Sequence, residues 1–194
     1  MPMKKKHPKR LRVAVVGRGF GGISAAQSFP SWVDVTVFEP RDTLEFLPNI
    51  HEILSGMKAP ADLKAPLEVV LRKKNITHVR ERVDGIALLP KTIRTVFGKT
   101  VPYDYCVVAV GGVNQTHGVP GADEYAMPFK SVDDCAAIYR RLHALYNDRE
   151  GGRGREIAGG PKEIHVVIVG GGLEGIEAIG ELLRMIEKPS NTRN

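Results

Sequence analysis

The sequence predicts an α/β fold in which helices cover a parallel sheet. Short apolar runs rich in β-branched residues are followed by a glycine cluster and then by a segment with helical character. This pattern occurs twice in 194 residues, as VAVVGRGFGGISAA from Val13 and as HVVIVGGGLEGIEAI from His165. Strand, glycine-rich turn and helix in this order begin a βαβ unit.

The first copy begins with an apolar run at 13–16, and a helical segment follows the glycines at 23–29. Pro30 cannot continue a helix, so we expect the helix to end there. Residues 34–39, DVTVFE, alternate β-branched and aromatic residues with polar ones, which is the pattern of a strand. The N-terminal part therefore predicts strand, turn, helix and strand.

The middle of the chain predicts a short amphipathic helix at 67–74 and a strand at 76–83. Two β-rich stretches in 85–101 are separated by a proline and a lysine, which indicates a hairpin or a small meander. The near-continuous apolar run at 103–110 is typical of the buried centre of a parallel sheet.

The last third predicts a long helix at 132–146, with Ser131 as its N-cap. A Gly-rich, charged stretch at 148–163 is interpreted as a linker. The second copy of the pattern then supplies a strand at 164–169 and a helix at 173–188, and no further strand follows.

Charge and cysteine content exclude several classes of protein. The chain has 28 Lys and Arg residues against 22 Asp and Glu residues, and its net charge of +6 is already present in 1–12. Because the rest is neutral, we interpret this segment as a flexible tail and expect no nucleic-acid partner. Two cysteines cannot form a disulfide framework, and the histidines have no spacing suited to a metal, so no metal site is expected.

No part of the sequence predicts secretion or a membrane span. The apolar run at 13–16 is interrupted at once by Gly17 and Arg18, so it is too short for a secretory signal. No uninterrupted apolar run approaches the length of a transmembrane helix. With few cysteines, this predicts a cytoplasmic protein.

The first glycine cluster, Gly17-x-Gly19-x-x-Gly22, has the spacing of a dinucleotide-binding turn. The first glycine permits a tight turn, the second lets the backbone approach a pyrophosphate, and the third lets the helix pack closely. An acid about 20 residues further on binds ribose hydroxyls, and Glu39 ends the second predicted strand at that distance. Together these features predict a dinucleotide site.

The second cluster, Gly170-x-Gly172-x-x-Gly175, has the same spacing between a predicted strand and helix. No acidic strand end follows it in the sequence. Such glycines can be structural alone, but the repeated spacing favours a second nucleotide site.

These features resemble the flavoproteins with two dinucleotide-binding domains, in the pyridine nucleotide-disulfide oxidoreductase superfamily, and among them the type II NADH dehydrogenases. GRGFGGISAA and the acid of VFEP match their FAD fingerprint, and VVIVGGGLEGIEAIGEL matches their NADH fingerprint. TLEFLPNIHEILSG resembles the segment along the flavin, YDYCVVAVGG the second flavin-contacting strand, and PFKSVDDCAAIYRRL the linking helix. The resemblance covers 12–188 and implies a Rossmann-like, three-layer FAD/NAD(P)-binding fold with a small β-meander.

The resemblance also implies a role for individual residues. The residues expected to contact FAD are Gly17, Gly19, Phe20, Gly21, Gly22, Glu39, Arg41, Pro48, Val83, Ala109 and Gly111. Those expected to serve NAD(P)H are Gly170, Gly172, Glu174 and Gly175. Glu177 has the position of a family glutamate near the junction of flavin and nicotinamide, and it is the candidate catalytic residue.

The resemblance divides the chain into the basic tail at 1–12, an FAD-binding domain at 13–147, the linker at 148–163, and the first strand and helix of an NAD(P)-binding domain at 164–194. On this interpretation the sequence is a truncated form of the two-domain architecture.

The implied activity is hydride transfer from NAD(P)H to FAD, followed by electron transfer to a quinone or another small acceptor. Family members meet the membrane peripherally through a C-terminal region, and a homodimer is also expected from the resemblance. Residues 40–60 contain no cysteine, which argues against the thiol-disulfide chemistry of other superfamily members.

Two alternatives remain open at the level of sequence. Sulfide:quinone oxidoreductases have a reactive cysteine near the linking helix, where this chain has Cys135. Cys135 and Cys106 both lie in apolar patterns, which favours buried inert thiols. The other alternative is a non-catalytic chain, either an inert fragment or a flavin-binding interaction module.

Overall fold

The structure is a computed structural model that describes residues 10–150 and 164–187. Its contacts divide the described chain into two units, the first containing residues up to 44 and 65–112, and the second 45–64 and the residues after 112. Most of the basic tail and of the linker lies outside the described residues. The domain boundaries drawn from the sequence stay predictions.

The described elements follow one another along the chain. They are β1 (Leu11–Val16), α1 (Phe20–Ser28), β2 (Val33–Phe38), β3 (Thr43–Glu45), a 3₁₀ helix (Leu47–Ile53), a second 3₁₀ helix (Pro60–Leu63), β4 (Lys64–Pro66), α2 (Leu67–Val70), β5 (Ile76–Val79), β6 (Val83–Ala87), β7 (Thr92–Thr95), β8 (Thr100–Pro102), β9 (Tyr105–Val108), α3 (Ala122–Tyr125), α4 (Val132–Glu150) and α5 (Leu173–Glu187).

The first unit is built on a parallel sheet with the strand order β5-β2-β1-β9. Leu11 pairs with Val33, and Val13 pairs with Tyr105, so the carboxyl ends of β1, β2 and β9 lie at one edge of the sheet. Ligands of open parallel sheets bind at that edge. The register therefore gathers Gly17, Glu39 and Ala109, the residues that follow these strands.

The two faces of the parallel sheet carry different layers because successive side chains of a strand point to opposite faces. On one face, Val13 and Val15 of β1 and the valines of β2 pack against α1 and α2. On the other face, Ala14 and Val16 pack near Ile93 of the meander. Helices, parallel sheet and meander thus form three layers, in agreement with the three-layer fold that the resemblance implies.

The meander is a three-stranded antiparallel sheet with the order β6-β7-β8, as expected from 85–101. A bulge between Val83 and Gly85 interrupts the pairing of β6 with β7. The hydroxyl of Tyr103 donates to the carbonyl oxygen of Ala87 at 3.0 Å and ties the end of β8 back to β6.

Three predictions about the first unit are wrong in detail. Within the described residues β9 pairs with β1 alone and is an edge strand, not the centre of the sheet. The apolar run at 103–110 does not reveal the position of its strand in the sheet. That position depends on the path of the chain segments that connect the strands. The strand expected at 76–83 divides into β5 and the start of β6, and the helix expected at 67–74 ends at Val70.

The second unit packs the first 3₁₀ helix against α4 and α5. Its buried cluster is formed by Ile50, Ile53, Leu54, Leu63, Val132, Cys135 and Ala178. Ser131 caps α4 as predicted, because its hydroxyl accepts the N–H of Asp134 at 3.1 Å. The Asp134 carboxylate in turn accepts the N–H of Lys130 at 3.2 Å. The two bonds satisfy donors at the beginning of the helix.

The strand expected at 164–169 is not formed, although α5 follows it as predicted. Val167 is 82% exposed. A strand needs a hydrogen-bonded neighbour, and no described residue of the second unit pairs with this segment. Among the described helices, none is both long and apolar enough to span a membrane.

Candidate functional site

The turn after β1 requires glycine at its first position. Gly17 has φ +106°, a conformation that residues with a side chain rarely adopt. A Cβ atom there would also lie 2.2 Å from the carbonyl oxygen of Ala109. The N–H of Gly17 donates to the carbonyl oxygen of Phe38 at 3.0 Å, so the turn is tied to β2.

Gly22 and Gly19 differ in what surrounds them. A Cβ atom on Gly22 would lie 2.2 Å from the carbonyl oxygen of Gly17, so α1 packs directly on the turn. At Gly19 a Cβ atom would meet nothing within 4 Å. The open side of Gly19 lies at the N-terminus of α1, where a helix favours anionic groups. This arrangement fits a pyrophosphate that approaches the backbone.

Glu39 follows β2, and its carboxylate contacts two arginines. The Arg18 Nε atom lies 3.4 Å from Glu39 Oε1, and both side chains are buried, 6% and 8% exposed. Arg41 donates to the same oxygen from Nε and from its backbone N–H, each at 3.1 Å. His78 Nε2 lies 2.9 Å from the Glu39 carbonyl oxygen. Glu39 is thus held at the sheet edge beside the glycine turn.

The sequence singled out Glu39 and Arg41 but missed Arg18. One signal was available in the sequence. Arg18 is a large basic residue between Gly17 and Gly19, although the glycine spacing would also allow a small residue there. Position alone did not show that its side chain lies beside Glu39, because 21 residues separate the two.

The other predicted flavin contacts of the first unit lie after β9, at the beginning of β6 and at the beginning of α1. Ala109 donates its N–H to the carbonyl oxygen of Val16 at 2.8 Å and continues the pairing of β9 beyond its end. Gly111 follows with φ +75° and open space where a Cβ atom would lie. Val83 begins β6 and packs on the meander face of the sheet. Phe20 and Gly21 are the first residues of α1.

The second glycine turn has the backbone geometry of the first, but a Cβ atom on Gly170, unlike one on Gly17, would meet nothing within 4 Å. Gly170 has φ +111°, and a Cβ atom on Gly175 would lie 2.4 Å from the Gly170 carbonyl oxygen. Gly172, like Gly19, has open space where a Cβ atom would lie. The N–H of Ile176 donates to the carbonyl oxygen of Gly172 at 3.1 Å and begins α5. The turn forms even though the preceding strand does not.

The predicted catalytic glutamate lies against the 3₁₀ helix that begins with Leu47 and Pro48. Glu177 Oε2 is 3.5 Å from His51 Nδ1, a buried atom that hydrogen-bonds to none of the described residues. Glu174, one turn earlier, pairs with Lys130 at 3.2 Å. Sequence reasoning missed His51, because nothing in its local pattern indicates a partner on α5.

The two thiols are in environments that suppress their reactivity. Cys135 is fully buried in α4, and burial, reinforced by the charge of Asp134, raises the pKa of its thiol to about 12. Burial also raises the pKa of the Cys106 thiol in β9. Since the thiolate is the reactive form, neither cysteine has the environment of a redox nucleophile.

We expect a thiol-labelling reagent at pH 8 to modify native Cys135 extremely slowly. With a pKa of about 12 only roughly one molecule in ten thousand carries the thiolate at that pH, and burial blocks access as well. Mass spectrometry of labelled peptides measures this. Cys106, which is half-buried, serves as the internal control and should label first. Rapid labelling of Cys135 in folded protein would contradict the assignment of an inert thiol.

A family model and a curated relative both match this chain to pyridine nucleotide oxidoreductases. The model of the pyridine nucleotide-disulphide oxidoreductase family matches residues 11–188. A type II NADH:quinone oxidoreductase of Mycobacterium tuberculosis is 26% identical, over 92% of this chain and 39% of its own length. The chain thus spans about two fifths of that relative.

Two solved structures are also similar. NDH2 from Plasmodium falciparum has a TM-score of 0.77 at 24% identity, over 93% of this chain and 38% of that one, and shows the likeness of fold. The sulfide:quinone oxidoreductase of Aquifex aeolicus has a TM-score of 0.65 at 27% identity, over 71% of this chain and 33% of that one. Because the family model covers most of the sequence, including both glycine turns, the chain belongs to the pyridine nucleotide-disulphide oxidoreductase family.

Proposed function

We propose that the protein is an FAD-dependent NAD(P)H dehydrogenase that passes electrons to a quinone-type acceptor. The observation that carries the proposal is the pair of glycine turns, Gly17–Gly22 and Gly170–Gly175. In each, the first glycine has a positive φ and the third glycine packs on the carbonyl oxygen of the first. Two such turns in one chain suit an enzyme that binds two dinucleotides. The similarity to a type II NADH:quinone oxidoreductase supports the choice of cofactors and acceptor.

The residues of the first unit fit FAD. The backbone at Gly19 leaves room for the pyrophosphate, and Glu39 offers a carboxylate oxygen to the adenosine ribose. Arg41, Val83, Ala109 and Gly111 are proposed to line the rest of the cofactor. The flavin, when bound, supplies the two-electron chemistry that links a hydride donor to a quinone.

In the second unit, Gly170, Gly172 and Gly175 are proposed to hold the pyrophosphate of NAD(P)H at the N-terminus of α5. Pro48 begins the segment that would lie along the flavin. Reduction of a quinone by NADH takes up one proton from solution. Glu177 and His51 are two titratable groups 3.5 Å apart, and we propose that they hold and pass on this proton.

The proposal extends to location. A quinone acceptor is dissolved in the membrane, so we propose peripheral contact with its cytoplasmic face, and assembly as a homodimer. Flotation with liposomes and the mass of the purified particle in solution test these two points separately.

A sulfide:quinone oxidoreductase is the second candidate, favoured by the structural similarity to the Aquifex aeolicus enzyme. Against it, Cys135 is fully buried and its pKa is raised to about 12, whereas sulfide oxidation needs a reactive thiolate. A flavin-binding module without activity is the third candidate. Its flavin would not be reduced by NADH, NADPH or sulfide, whereas the flavin of the other two candidates would be reduced by at least one of these donors.

Stopped-flow absorbance of the full-length flavoprotein decides among these candidates. We expect NADH or NADPH to bleach the flavin bands and a quinone to restore them. Glu177→Gln should slow the restoring step several-fold, while Glu187→Gln, at the far end of α5, should not. Bleaching by sulfide but by neither nucleotide would favour the second candidate. A yellow protein that no donor bleaches would favour the third.

A further inference from the structure

The two oxygens of the Glu39 carboxylate differ in the hydrogen bonds that they accept. Within residues 10–150 and 164–187, both hydrogen bonds to the carboxylate come from Arg41 and end on Oε1, and Arg18 Nε forms an ion pair with the same oxygen at 3.4 Å. A carboxylate is an acceptor through both oxygens. Oε2 therefore remains as the acceptor for a ligand.

The two arginines are not equivalent. Arg41 is 64% exposed, so water and salt screen its interaction with Glu39. The Arg18 guanidinium is buried beside a buried carboxylate, where an ion pair is screened far less. The left-handed turn at Gly17 also fixes the backbone from which Arg18 extends. Arg18 is thus the more rigid of the two partners.

We propose that Arg18 is a positioning residue for nucleotide recognition: it holds Glu39 through Oε1 so that Oε2 receives a hydroxyl of the adenosine ribose. This inference rests on the proposed FAD site. A ribose hydroxyl donates a hydrogen bond to a carboxylate oxygen. Because the buried Arg18 side chain contacts Glu39, we assign Arg18 an action on the ribose through Glu39.

The proposal predicts an effect on discrimination between two ligands. The probes are FAD and its analogue that lacks the 2′-hydroxyl of the adenosine ribose. Flavin fluorescence during titration of the apoprotein gives both dissociation constants. The full-length wild type should bind FAD about tenfold tighter than the analogue, as one hydrogen bond to a charged acceptor suggests. Arg18→Met should reduce that ratio to about two, because Glu39 is no longer oriented.

The matched control is Arg12→Met. Arg12 makes a half-buried ion pair with Asp104 at 3.0 Å, near the beginning of β1. Its loss should lower stability in urea but leave the tenfold ratio unchanged. A merely structural role of Arg18 would likewise weaken both ligands equally and preserve the ratio.

A preserved ratio in Arg18→Met would overturn the proposal. If that variant does not fold, Arg18→Lys, which keeps the cation but loses the planar guanidinium, replaces it: a reduced ratio supports the proposal and an unchanged ratio overturns it. A wild type that binds FAD and its analogue equally also overturns it, while the flavin site stands. A wild type that binds neither contradicts the proposed function itself.

Discussion

Replacing Gly17 with alanine is expected to lower the free energy of unfolding by about 3 kcal/mol or more. Two causes act together at this position. The backbone has φ +106°, and the new Cβ atom would lie 2.2 Å from the Ala109 carbonyl oxygen. Relief of the contact would require β9 to move away from β1 at the sheet edge. Urea denaturation followed by circular dichroism measures the change.

Gly19→Ala is the matched control in the same turn. Its φ of −62° suits alanine, and its Cβ atom would meet nothing within 4 Å, so we expect a loss below about 1 kcal/mol. The methyl group would, however, project into the space proposed for the pyrophosphate and weaken FAD binding about tenfold or more. Equal stability of the two variants would contradict the steric argument, and unchanged FAD affinity in Gly19→Ala would contradict the site.

Glu39→Gln is the second substitution for which we expect a large effect. It should lower the free energy of unfolding and also weaken FAD binding. The substitution leaves the buried Arg18 guanidinium without the charge of its carboxylate partner, which should cost about 2–3 kcal/mol. It also removes the charged acceptor proposed for the ribose, which should weaken FAD binding roughly tenfold to a hundredfold. Urea denaturation and fluorescence titration measure the two effects independently.

Asp84→Asn provides the comparison for this substitution. Asp84 pairs with Arg94 at 2.7 Å on the surface of the meander, where both side chains are largely exposed. Exposed pairs contribute no more than about 1 kcal/mol, and this one lies outside the proposed site. If Asp84→Asn proved as damaging as Glu39→Gln, burial would not explain the importance of the Arg18–Glu39 pair.

Much of the candidate site is predictable from the sequence because its geometry is local. Gly17 contacts Ala109, which is distant in sequence, but the positive φ of Gly17 and Gly170 is set within the turn itself. Gly22 and Gly175 pack on the carbonyl oxygens of those glycines. The cap of α4 at Ser131 is equally local. Alternation in β2 and the breaks at prolines are also properties of short segments. Glu39 was found because its distance from the turn is set by one helix and one strand.

The features that the sequence did not reveal depend on neighbours far along the chain. Strand order put β9 at an edge, and the strand expected at 164–169 found no partner among the described residues of its unit. The pairing of Arg18 with Glu39 and that of His51 with Glu177 are contacts between separate elements. The sequence by itself thus determined the two glycine turns, their helices and the acid that follows the first. Only the tertiary structure decided which charges meet at those turns, because local backbone preferences carry no information about which distant side chain completes an ion pair.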